Sequence, residues 1–247
     1  MKKITKIDIL GTKISILDYS TVLSEISNQK NKQSSFICVA AVHLIMESYK
    51  NLKLQRGINK SLFTTTDGMP LVWFAKHKLK KQVNRVYGPK LMLETCKMAE
   101  KQKLKVFLLG GAKDQGLDLK KNLINKFPEL KIVGMIETPI RPIPIKRNKN
   151  ILNEIQTTKP DIVFVGLGCP LQEEWMINNY KKVNKGVFIG VGAAFDFISG
   201  KVKQAPKWVQ DIGLEWFFRL LQDPIRLWKR YLIYNSEFIF HILINKK

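Results

Sequence analysis

Apolar and polar positions alternate in blocks along this chain. Short apolar runs rich in β-branched residues recur: SFICVAAV from Ser35, SLFTTT from Ser61, KVFLLGG from Lys105, KIVGMI from Lys131, DIVFVGLG from Asp161 and GVFIGVGAAF from Gly186. The first three run into stretches of helical period that begin at about His43, Met69 and Asp114. The others are each followed by a polar or amphipathic stretch. Runs of this kind, bounded by Gly or Pro and separated by ten or so helical residues, indicate βαβ units and a mostly parallel sheet. The pattern predicts a doubly wound, Rossmann-like α/β fold with its ligands beyond the carboxyl ends of the strands. After Gly200 no further strand-then-Gly unit occurs and the composition turns to Trp, Phe, Ile and Arg. That predicts an α/β domain over residues 1–199 and a helical C-terminal appendage over residues 200–247.

Composition adds a partner class. With 42 Lys and Arg against 20 Asp and Glu, the 247-residue chain carries a formal charge of +22. A field of that sign concentrates anions, so nucleic acid, acidic lipid and phosphorylated substrates all qualify. Some of the excess, as in Lys101, Lys103 and Lys105, fits ordinary solvated faces. Cys38, Cys96 and Cys169 make neither a C-x-x-C pair nor an even disulfide set, which points to a reducing cytosol. The N-terminal MKKITKIDIL lacks the apolar run of a secretory signal, and no segment reaches the roughly 20 apolar residues of a membrane span.

Four motifs carry candidate chemistry. LLGGAKDQG sets Gly110, Gly111 and Gly116 between a strand and a helix, where backbone NH groups approach a phosphate or the glycines merely allow a tight turn. TTTDGMP puts Asp67 at a strand's carboxyl end, placed for a general base, although the local pattern by itself favours a helix N-cap. GLGCPLQEEW joins Gly168 to Gln172 and Glu173; an amide that both donates and accepts suits sugar hydroxyls or a uracil edge, and the segment also reads as a plain strand-to-helix connection. GVGAAFDFISG carries Asp196 among small residues that fit ligand approach and close packing equally. In the appendage, Arg219, Arg226 and Arg230 fall near one helical face if the helix survives Pro224. Arg suits bidentate diphosphate recognition, and the interleaved aromatics suit a membrane interface. No D-x-D pair, P-loop or G-x-S-x-G occurs, and the three His are scattered, so no metal site is expected.

In order and spacing, TDGMPLVW, NRVYGPKLM, VFLLGG, PDIVFVGLGCPLQEEW, GVGAAFDFISGKVKQAPKW and GLEWFFRLLQDPIRLWKRY resemble the WecG/TagA/CpsF glycosyltransferases, from about Ser35 to Tyr231. The resemblance implies inverting transfer from a UDP-sugar, often of N-acetylmannosamine type, to a polyprenyl-diphosphate-linked acceptor, with no required metal and no further cofactor. It implies Asp67 as catalytic base and Arg85 and Gln172 as polar residues of the substrate pocket; together with the motifs, the expected substrate-binding set is Arg85, Tyr87, Gly110, Gly111, Gly168, Gln172, Glu173 and Asp196. It assigns Arg219, Arg226 and Arg230 to the lipid diphosphate, and it places the protein in the cytoplasm, peripheral on the inner membrane face, with homo-oligomers among its expected partners. Where the family usually has Asn, this chain has Ala41, and GMIETPIRPIPIKRN departs from the usual pattern. Ala41 leaves open a catalytically silent scaffold of a polysaccharide assembly, and the charge leaves open a nucleic-acid-binding module, although no nucleic-acid partner is expected.

Overall fold

All six apolar runs become strands of one parallel sheet: β3 (Ser35–Ala40), β4 (Phe63–Thr66), β5 (Lys105–Gly110), β6 (Lys131–Ile136), β7 (Ile162–Gly166) and β8 (Val187–Gly190), in the order β4-β3-β8-β7-β5-β6. The computed structural model describes residues 4–30 and 32–244. Residues 1–3 and 245–247, at the outer ends of the two expected parts, lie outside the described residues. Because strand side chains alternate, each strand feeds two cores. Phe36, Phe107, Val163 and Phe188 pack on one face, while Ile37, Leu108, Phe164 and Ile189 pack on the other.

Helices cover both faces: α1 (Tyr19–Asn28), α2 (Val42–Lys50), α3 (Leu52–Ile58), α4 (Met69–Leu79), α5 (Gly88–Lys101), α6 (Gln115–Lys126), α7 (Ile145–Thr158), α8 (Leu171–Asn179) and α9 (Ala194–Ile198). Prolines sit at the openings of α4 and α5, where a missing NH loses no helical hydrogen bond. Asp18 caps α1 by accepting from Thr21 N at 2.8 Å.

The N-terminal segment holds a pair of strands that the block pattern does not announce. β1 (Thr5–Ile9) and β2 (Thr12–Ile16) form an antiparallel hairpin about Leu10 and Gly11, both at positive φ. Its Ile7, Ile9 and Ile14 enter the first core.

Beyond Pro206 the chain is helical: α10 (Lys207–Asp211), α11 (Glu215–Gln222), α12 (Pro224–Trp228), a π-helical turn (Lys229–Ile233) and α13 (Tyr234–Ile244). The helix does not survive Pro224. Asp223 leaves helical geometry (φ −146°, ψ 68°), and Pro224 opens a new helix that Asp223 caps. The expected single face of arginines is therefore two helices and a π turn, and it is folding at the break that brings the arginines together. At the far end, Phe238 joins the first core and Tyr234 donates to Glu47 on α2 at 2.7 Å.

Candidate active site

A cleft of about 740 Å³ opens at the carboxyl ends of β3, β4, β7 and β8 and is roofed by the appendage. Its lining includes Ala41, Asp67, Arg85, Tyr87, Gly168, Gln172 and Asp196 together with all three appendage arginines. Asp67 follows β4 directly, and its NH donates to Ala40 O at 2.8 Å. It is not a helix cap: Gly68 occupies that position on α4 and makes no side-chain cap bond. The carboxylate instead faces Arg85, whose Nη2 donates to Asp67 Oδ1 at 3.2 Å and whose Nε donates to the Asp67 carbonyl at 2.6 Å. Gly88 N approaches the other carboxylate oxygen at 3.4 Å.

Arg85 has a second carboxylate partner that the motif reading missed. Glu215, the first residue of α11, accepts from Arg85 Nη2 at 2.7 Å and is buried. Burial pushes the Glu215 carboxyl above its ordinary value, against the pull of Arg85. The Tyr87 ring lies under the guanidinium at 4.4 Å, and burial raises its phenol. One cation thus ties Asp67 to the appendage. The signal was present in GLEWFF, as an acidic residue amid aromatics, but its partner lies 130 positions away.

In the glycine turn after β5, close packing and a carboxylate already engage the backbone. Gly110 has φ +123°, and a Cβ there would stand 2.5 Å from Gly166 O, so glycine is required by strand-to-strand approach; it does not line the cleft. The first amides of α6 are already engaged, since Asp114 N and Gly116 N donate to the Glu137 carboxylate at 2.9 and 2.6 Å. Gly111 lines the cleft, and Gly168, at φ +81° with open space where a Cβ would be, leaves the cleft wall accessible to a ligand. Asp196 lines the cleft too, accepting from Gln115 Nε2 at 2.8 Å.

Gln172 and Glu173 separate. Gln172 lines the cleft, with its Oε1 accepting from Gly192 N at 3.0 Å and its Nε2 donating to Glu173 Oε1 at 2.8 Å, so it braces the β8 loop. Glu173 does not reach the cleft, which corrects its expected place in the substrate pocket: the phase of α8 turns it into the core at 0% exposure. Burial pushes its carboxyl up to about 8 from 4.5, and its Oε2 has no hydrogen-bond partner among the described residues. Below pH 4.5 the folded and unfolded chains both hold this proton, and stability is full. Between 4.5 and 8 the folded chain retains a proton that the unfolded chain releases, so stability falls as pH rises. Glu173→Gln is expected to flatten that descent, raising Tm above wild type at pH 8 and leaving it level at pH 4, as thermal melts across pH will read.

The appendage arginines face the same cleft. Arg226 pairs with Asp223, Arg219 stands over the Phe197 ring at 5.2 Å, and the Nε atoms of Arg219 and Arg230 are buried without a hydrogen-bond partner among the described residues. Ala41 also lines the cleft, at the N-cap of α2 with no side-chain bond to the first amides. Ala41→Asn is expected to supply that bond and add about 1 kcal/mol of stability, read as a Tm rise of about 3 °C. Among the described residues, no group of three or more His, Cys, Asp or Glu side chains gathers to hold a metal ion.

The family model described as Glycosyl transferase WecG/TagA/CpsF family matches residues 7–247. The chain is similar to the N-acetylglucosaminyldiphosphoundecaprenol N-acetyl-beta-D-mannosaminyltransferase of Bacillus subtilis (strain 168), at 34% identity over 176 residues, covering 71% of this chain and 66% of that protein. The protein of the same name from Staphylococcus aureus (strain MRSA252) is 30% identical over 235 residues, 91% of this chain and 86% of its own length. That of Bacillus spizizenii is 30% identical over 201 residues, 81% and 76% of the two chains.

Proposed function

This chain belongs to the WecG/TagA/CpsF glycosyltransferase family, and from that premise we propose that it moves a sugar from a UDP-sugar onto a polyprenyl-diphosphate-linked acceptor, with inversion. The observation that carries this reading is Asp67, a carboxylate directly at a strand end in a cleft that the guanidinium groups of Arg85, Arg141, Arg219, Arg226 and Arg230 line. The other carboxylates there, Asp196, Glu215 and Asp223, are held by Gln115, Arg85 and Arg226. Asp67 takes the proton of the acceptor sugar's hydroxyl as that oxygen attacks the anomeric carbon from the side opposite UDP. The bond to the UDP oxygen breaks, and UDP departs with the electron pair. A base on one wall and fixed cations around the leaving group are what this displacement requires. The guanidinium groups offer the departing diphosphate its positive charge, which supports transfer without a metal.

The relatives act, by their names, on an N-acetylglucosaminyl-diphosphate-lipid and transfer N-acetylmannosamine. The same classes are the first donor and acceptor to test here. Residues 200–247 act in this reading as the acceptor-binding and membrane-facing part, with Arg219, Arg226 and Arg230 on the lipid diphosphate. Supporting it, the appendage exposes Leu221, Ile225, Trp228 and Phe240 beside its basic residues, with Ile225 89% exposed. No helix among the described residues is long and apolar enough to cross a membrane, which suits a peripheral protein at the inner membrane face.

The decisive assay measures UDP release from a panel of UDP-sugars, with the lipid-linked amino sugar as acceptor and with chelator present. Acceptor-dependent release, unchanged by chelator, is the expected result. Absence of release with every donor would overturn the reading and favour the silent scaffold.

A further inference from the structure

We infer that Arg141, from the segment that departs from the family pattern, binds the diphosphate of a substrate at the carboxyl ends of β5 and β7. The inference rests on the transferase reading above and adds a residue to it. In open parallel sheets a diphosphate is commonly met by the amides of a helix that follows a glycine turn. Here that place is taken, because the Glu137 carboxylate accepts from Asp114 N and Gly116 N at the start of α6. A phosphate entering there would meet a carboxylate already seated on the amides. The segment that closes this cradle also delivers a cation, four residues later.

Arg141 is held in place by backbone alone. Its Nε donates to Thr138 O at 3.1 Å, its Nη1 to Leu167 O at 2.8 Å, and its Nη2 to Gly111 O and Gly166 O at 3.1 and 3.4 Å. Of the five guanidinium protons, one on Nη1 keeps no acceptor among the described residues. Four carbonyl dipoles orient the group without cancelling its unit charge. No carboxylate lies within ion-pair distance of it among the described residues, whereas Arg85 has two such partners and Arg226 has one. The charged groups it feels are Asp196, which is already engaged by Gln115, and Arg226 across the cleft. Arg141 and Arg226 line the same cleft, and of the two Arg141 has no ion-pair partner among the described residues, so it is the cation left for an anionic group and its backbone bonds preorganise it.

Donor and lipid acceptor both carry a diphosphate, so the test has two arms, using Arg141→Gln and Arg141→Lys. Affinities for UDP and for uridine are measured by calorimetry, and the KM of a short-chain polyprenyl-diphosphate-linked N-acetylglucosamine is measured by UDP release. With the donor bound here, UDP affinity falls about tenfold to a hundredfold in the Gln variant, uridine affinity holds, and Lys recovers part of the loss. With the lipid bound here, UDP affinity holds and the acceptor KM rises by a similar factor. Equal losses of UDP and uridine, or no change in either arm, overturn the inference. Wild type that binds neither UDP nor the acceptor overturns the transferase reading and this inference together, so the two failures are distinguishable.

Discussion

Asp67→Asn is expected to lower kcat by about a thousandfold, within the range that a positioned general base contributes. Its UDP affinity and Tm should stay close to wild type. Asn keeps an oxygen for the Arg85 Nη2 bond now made to Oδ1, and Arg85 Nε binds the main-chain carbonyl, which the substitution does not touch. The variant therefore removes the proton acceptor and leaves the cleft assembled. Steady-state rates of UDP release at saturating donor and acceptor, with UDP calorimetry alongside, make the check. A loss below tenfold would show that another group takes the hydroxyl proton, and an equal loss of UDP binding would show that Asp67 shapes the cleft instead.

Arg85→Met is expected to damage both activity and fold. The substitution leaves Asp67 and Glu215 as two carboxylates in one pocket without the guanidinium that bridges them, Glu215 being 10% exposed at its side chain. Breaking a fully buried pair this way costs about 3–5 kcal/mol. The Arg85 side chain is 21% exposed, so solvent screening reduces the expected loss to about 2 kcal/mol, or about 6 °C in Tm for a chain of this size.

The loss should depend on pH. The Glu215 carboxyl already sits above its ordinary 4.5 through burial, and without Arg85 it rises further. A carboxyl raised in the folded state gives its full stability below the unfolded value and loses it as pH rises. The variant should therefore approach wild type near pH 4 and fall behind it at neutral pH. Glu215→Gln placed on top of Arg85→Met should recover part of the lost stability at pH 7, because one of the two stranded charges is gone. If the double variant is no more stable than Arg85→Met, the two carboxylates do not share this guanidinium in solution. Activity should fall by about a hundredfold or more in Arg85→Met, since the base loses the group that orients it.

The sheet was readable because its signals are local. β-Branched runs ending in Gly mark strand ends wherever they occur, and all six became parallel strands with Asp67 at the end of β4. The N-terminal hairpin was readable in principle, from the alternation in TKIDI and TKISI around Leu10 and Gly11, but two five-residue strands make a weak period. Other features were not local. Adjacent residues Gln172 and Glu173 share one motif, yet helix phase sends one to the cleft and the other into the core. The glycine turn after β5 looks like a phosphate loop until a carboxylate from 21 positions onward occupies its amides.

From the sequence by itself came the α/β class, the strand ends that build the cleft, the candidate base and the basic, aromatic character of the appendage. Periodicity, Gly and Pro act over a few residues, so those features travel with the local chain. Only the tertiary structure decided that Pro224 breaks the helix yet leaves three arginines on one cleft, that Glu215 reaches Arg85, that Glu137 occupies the first amides of α6, and that Arg141 is held by backbone carbonyls at the ends of β5 and β7. Those outcomes depend on which strand ends lie side by side and which carboxylate reaches which cation first. Such pairings are set by packing across tens of residues, and no local pattern encodes them.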